Sequence, residues 1–83
     1  MRQLIEALRE IEGQNVNIYT EHKLFGKQHL KMKFKPETEI GFGFHYKKQI
    51  IYIDKNEIVD YHIDNDKVVI NGTMMCINII KTV

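Results

Sequence analysis

A change of hydrophobic period after residue 13 constrains this chain more than any other feature. Before it, Leu4, Ile5, Leu8 and Ile11 fall at i, i+1, i+4 and i+7, with Glu6, Arg9 and Glu10 off the stripe. That spacing predicts a helix over residues 2–12. Gly13 stands where a C′ glycine ends such a helix. Three turns are marginal in isolation, so the helix must dock on an apolar surface. From Asn15 onward the period falls from about 3.6 to 2. Val16 and Ile18 alternate with Asn15, Asn17 and Tyr19, and His29-Leu30-Lys31-Met32-Lys33-Phe34-Lys35 alternates strictly up to Pro36. Ile40, Phe42, Phe44 and Tyr46 share one face, with Gly41, Gly43 and His45 on the other. Residues 20–28 contain Gly26 and no clear period, and read as a loop.

The remainder reads as hairpins. Two β-rich runs, 49–53 and 57–63, flank Asp54-Lys55-Asn56, a three-residue connection in which Asn56 is able to take positive φ. Asp64-Asn65-Asp66 makes the next turn. Asn71-Gly72 is a strong hairpin signal, predicting Ile70 opposite Thr73 and Val69 opposite Met74. In the last run Met75, Ile77 and Ile79 face one way and Met74, Cys76 and Ile80 the other. Such a strand is either central and covered on both sides or, at an edge, a partner-docking strand. Short strands joined by tight turns run antiparallel. The expected class is α+β, a short N-terminal helix followed by an antiparallel β-meander in a single domain over residues 1–83. The meander either closes into an SH3-like small barrel with the helix as a lid or stays a strongly curved sheet. Gly41 and Gly43 favour curling, because strand glycines mark sharp bends or close backbone approach.

Composition narrows the function. A chain of 83 residues buries about 60–65% of its unfolded surface and folds with little margin. A formal charge of +1 leaves any electrostatic function to a local patch. One cysteine, Cys76, forbids an internal disulfide and fits a reducing compartment. The opening Met1-Arg2-Gln3-Leu4-Ile5-Glu6 carries charges inside its apolar stretch, unlike a secretory leader. No run approaches the ~18 apolar residues of a membrane span. These features predict a cytoplasmic protein that does not engage a membrane. Heavy use of Ile (13), Lys (10) and Asn (6) suggests an A/T-rich bacterial or phage genome.

Catalytic constellations are lacking in the sequence. There is no serine, and Cys76 sits in an apolar strand that suits a buried structural thiol better than a nucleophile. No phosphate-binding glycine loop occurs; Gly41-Phe42-Gly43 is a fragment inside a strand pattern. His22, His29, His45 and His62 show no zinc spacing, although His29 and His45 point outward from strands that would be neighbours. Asp54, Glu57, Asp60, Asp64 and Asp66 form an acidic stretch explained by turn chemistry. No enzyme, cofactor or metal site is therefore expected. The stretch from His22 to Lys35 holds Lys23, Lys27, Lys31, Lys33 and Lys35, with His29 and no acid. On a strand His29, Lys31, Lys33 and Lys35 point to one side at about 6.5–7 Å intervals. Lys23, Lys27, His29, Lys31, Lys33 and Lys35 are thus the candidate partner-binding residues. The same lysines also suit a second role, guarding an edge strand against aggregation. No arginine is among them, so contact with nucleic acid would be electrostatic rather than base-reading.

With a helix, several short strands and Val68-Val69-Ile70-Asn71-Gly72 near the end, the chain resembles the Sm/Lsm/Hfq-like family. The resemblance implies a five-stranded barrel, an oligomeric ring and RNA binding at Ile70-Asn71-Gly72, where Asn71 replaces the arginine of the family pattern. The residues themselves point first to a non-enzymatic binding protein. It would dock its lysine stripe on a macromolecule with an acidic or nucleic-acid-binding surface, as a small regulator or a phage-type inhibitor of a host protein. The alternative is an Sm-like oligomeric RNA-binding protein.

Overall fold

Apolar residues at helical spacing build one docked helix, and alternation builds strands that divide between two sheets. The computed structural model describes residues 2–37 and 41–81. Helix α1 (Arg2–Glu10) is followed by β1 (Asn15–His22), β2 (Gly26–Lys33), β3 (Pro36–Glu37), β4 (Gly41–Tyr46), β5 (Gln49–Asp54), β6 (Ile58–Ile63), β7 (Lys67–Gly72) and β8 (Met75–Lys81). A 3₁₀ turn over Lys55–Glu57 separates β5 from β6. The larger sheet has the order β2-β1-β8-β7-β6 and the smaller one β3-β4-β5, all pairs antiparallel. The α+β class holds. Among the described residues the hydrogen bonding forms two sheets, without the pairing that would close one meander into a barrel.

One core joins the parts. Leu4, Leu8 and Ile11 from the helical segment, Val16 and Ile18 from β1, and Ile77 and Ile79 from β8 are buried together with Phe42, Phe44 and Ile53 of the smaller sheet. The helix and the smaller sheet therefore cover the same face of the larger sheet. Among the described residues, no helix or strand covers its other face, the open face of the sheet. The helical segment ends as its sequence requires: Gly13 takes φ +82°, and its N–H donates to Phe34 O at 2.8 Å.

Four expectations are corrected. Residues 20–28 are not a loop, because β1 and β2 pair as far as His22 opposite Gly26, leaving only residues 23–25 as the turn. Gly26 at φ +77° supplies the left-handed residue that such a three-residue connection needs. Asp54-Lys55-Asn56 is not a hairpin. Asp54 accepts a hydrogen bond from Asn56 N at 2.8 Å and starts the 3₁₀ turn that carries the chain from one sheet to the other. Asn71-Gly72 is not a turn either. Ile70 faces Ile77 and Asn71 faces Cys76, so the reversal lies at Thr73 and Met74. A Cβ on Gly72 would stand 2.6 Å from Ile53 Cδ1, so this glycine makes room for the other sheet instead of turning the chain. Finally, β8 is central as its apolar pattern suggests, but only its Ile77–Ile79 face is buried, while Cys76, Asn78 and Ile80 are half-buried on the open side. Ile40 and the side chain of Tyr46 lie outside the described residues.

Candidate docking surface

Strand alternation decides what the open face displays. On β2, Lys27, His29, Lys31 and Lys33 are exposed, while Leu30 and Met32 are half-buried against the core. A slip of one residue would bury lysines, which fixes the register. Opposite them on β1 stand Glu21, Tyr19, Asn17 and Asn15 respectively. Among the described residues, no acidic group comes within ion-pair distance of Lys27, Lys31 or Lys33. Glu21 on β1 faces Lys27 across the strand pair, and the other acids of this face lie at the far edge, with Asp60 on β6 and an Asp64–His62 pair at 3.1 Å. The β2 edge is thus cationic and the β6 edge acidic, with Glu21 on β1 and Lys67 on β7 between them.

The structure does not gather all six candidates. Lys23 is in the β1–β2 turn, and Lys35 lies in the crossing from β2 to β3, where its carbonyl accepts from His45 N at 3.1 Å. His29 belongs to the row but is engaged. Its Nε2 is 2.9 Å from Asn17 Oδ1, and its ring stacks on Tyr19 with centroids 4.3 Å apart and planes 3° from parallel. His29 and His45 are not on neighbouring strands, since β2 and β4 belong to different sheets. Among the described residues, no group of three or more His, Cys, Asp or Glu side chains is arranged to hold a metal.

The middle of the open face is a polar line. Asn71 Nδ2 donates to Asp60 Oδ1 at 2.6 Å, and Cys76 Sγ donates to Asn71 Oδ1 at 3.0 Å. Asn78 Nδ2 donates in turn to Cys76 Sγ at 3.7 Å. Desolvation first, and then the Glu21 carboxylate, push the Cys76 thiol above its ordinary pKa, against the Asn78 hydrogen bond, with Asp60 adding to the rise. A thiol held protonated in this way is the opposite of an activated nucleophile.

Known protein families, curated proteins and solved structures offer no match to this chain. The resemblance to the Sm/Lsm/Hfq-like family also loses its motif in the fold. Ile70, Asn71 and Gly72 lie inside β7, with Asn71 held between Asp60 and Cys76.

Sequence reasoning missed the tip of the β1–β2 hairpin, because the segment lacked a period. Leu24 and Phe25 are 73% and 83% exposed there, between Lys23 and Lys27. The tip is ordered by His22, whose Nδ1 accepts from Leu24 N at 3.0 Å and Phe25 N at 3.3 Å, and whose ring lies 4.7 Å from that of Phe25. Lys23 N donates to Met74 O at 2.9 Å, joining this tip to the β7–β8 turn. Between the two turns is a hollow of about 480 Å³ lined by Glu21, Lys27, Met74 and Cys76, among others. The signal that marks the tip is two large apolar residues flanked by lysines just before a glycine.

Proposed function

We propose that the protein is a non-enzymatic binding module that docks its β1–β2 face on an acidic macromolecular partner. The observation that carries this reading is the row Lys27, Lys31 and Lys33, fixed in register on an open face, with no acidic partner of its own among the described residues. Guarding the β2 edge accounts for some charge there. It does not account for Leu24 and Phe25 left outside at the adjoining tip. Cations held in a row by core packing lose little freedom on binding and steer an acidic partner to one face. The protonated, hydrogen-bonded Cys76 supports a non-catalytic role. The module works in the cytoplasm as a small regulator or a phage-type inhibitor, covering a partner's acidic or nucleic-acid-binding surface.

The test is recovery of a specific partner on immobilised protein, compared with two double variants. Lys31→Glu plus Lys33→Glu lowers recovery by at least about tenfold, or ~1.4 kcal/mol. Arg9→Glu plus Lys48→Glu, which carries the same charge change away from the open face, leaves it intact. Equal recovery with both variants overturns the assignment.

A further inference from the structure

We infer that the β1–β2 face binds single-stranded nucleic acid, with the Tyr19–His29 pair stacking a base and Lys27, Lys31 and Lys33 taking phosphates beside it. The inference rests on the docking reading above and names the chemical class of the partner. An acidic protein patch would be satisfied by the lysines alone. What the lysines do not explain is a parallel pair of rings standing among them, with Tyr19 43% exposed, on a strand face that is otherwise polar. The pair is ordered before any ligand arrives: the rings are 3° from parallel, and Asn17 Oδ1 holds His29 Nε2 at 2.9 Å. Each ring covers one face of the other, so a base would stack on an outer face of the pair. A pre-ordered aromatic pair beside a row of cations is the arrangement by which sheet faces hold unpaired bases while tracking the backbone.

The arrangement favours a single strand over a duplex for two reasons. Duplex bases are already stacked and present no face to Tyr19, and no arginine stands in the row to read base edges. Polarity also sets the path. The acids at β6 repel phosphate, and Glu21 opposite Lys27 holds it to the β2 side there, so the strand runs along β2 and β1 instead of across the sheet. Lysines two residues apart stand about 6.5–7 Å from each other, giving at most three phosphate contacts. This mode uses neither Ile70-Asn71-Gly72 nor a ring of subunits.

The experiment titrates the full chain into fluorescein-labelled oligo-dT and oligo-U of about twelve nucleotides, following anisotropy across a salt series. Three phosphate contacts predict a log–log salt slope of about −2 for a single strand. Tyr19→Ala weakens binding about 5- to 160-fold, the range of about 1–3 kcal/mol for removing a stacking ring, while Tyr19→Phe retains it. Lys31→Glu plus Lys33→Glu weakens it further and flattens the slope. A hairpin duplex of equal length and polyglutamate of equal charge are the competitors. Displacement by an unlabelled single strand but not by either competitor supports the inference. Absence of binding up to about 100 µM protein at low salt overturns it. Indifference to Tyr19→Ala, or equal displacement by duplex, overturns it too. Should polyglutamate compete as well as the oligonucleotide, and the lysine variant lose both, the nucleic-acid assignment falls while the docking face stands.

Discussion

Gly41 shows how one missing side chain decides local packing. A Cβ built there would stand 2.5 Å from Tyr52 Oη and 2.6 Å from the Ile53 carbonyl oxygen, and the second of these is backbone that cannot swing away. Gly41→Ala therefore lowers stability by about 1–3 kcal/mol in a denaturant melt, the range for overpacking a filled site. Of the two roles expected of these strand glycines, sharp bends or close backbone approach, Gly41 and Gly43 show the second, leaving room for the neighbouring strand and Tyr52. Cys76 gives a second prediction. Its thiol is held above its ordinary pKa by desolvation and by Glu21, so the folded state binds that proton more tightly than the unfolded state. The thiol's contribution to stability is whole below the unfolded pKa and is lost as pH rises through the folded one. Iodoacetamide will accordingly modify the folded chain more slowly than the urea-unfolded chain, with a rate profile displaced to higher pH. Equal profiles would remove the polar line from the account.

Among the elements, β2 and its hairpin tip separate what folding needs from what it does not. Strict alternation from His29 to Lys33 was legible in the sequence and places its lysines outward as read. The tip was not legible, because pairing of His22 with Gly26 depends on the register of two strands and not on any period within residues 20–28. Leu24 and Phe25 are so exposed that Leu24→Ser plus Phe25→Ser changes unfolding free energy by no more than about 0.5 kcal/mol, the scatter of surface substitutions. Thermal and denaturant melts check this directly. A large loss would mean that the tip packs on the body and is no free anchor. The β7–β8 hairpin teaches a related lesson. Asn71-Gly72 has the composition of a two-residue turn, yet the chain reverses at Thr73 and Met74, and Gly72 lies inside β7 against Ile53 of the other sheet. The shift keeps the faces correct, since Ile70 still meets an inward residue, Ile77.

At the level of the whole molecule, one core holds a helix and two sheets together. Ile77 lies in the central strand of the larger sheet and is fully buried. Ile77→Ala is expected to cost about 2–5 kcal/mol. That is a large share of the ~5–15 kcal/mol available to a domain. Because Phe42, Phe44 and Ile53 share this core, both sheets should melt together, giving coincident transitions by far-UV circular dichroism and tyrosine fluorescence. Two separated transitions would show that the smaller sheet folds on its own. Among the described residues, no helix is long and apolar enough to cross a membrane.

The sequence by itself determined the helix, the inward residues of the strands and the outward lysines, because each follows from a period that a segment carries alone. Which strands became neighbours, why the chain divides between two sheets, and why Asn71-Gly72 sits inside a strand were decided only in three dimensions. The same holds for the stacking of Tyr19 on His29 and the polar line through Cys76. These depend on cross-strand register, and register is chosen by which residues of paired strands turn inward together, as Ile70 and Ile77 do.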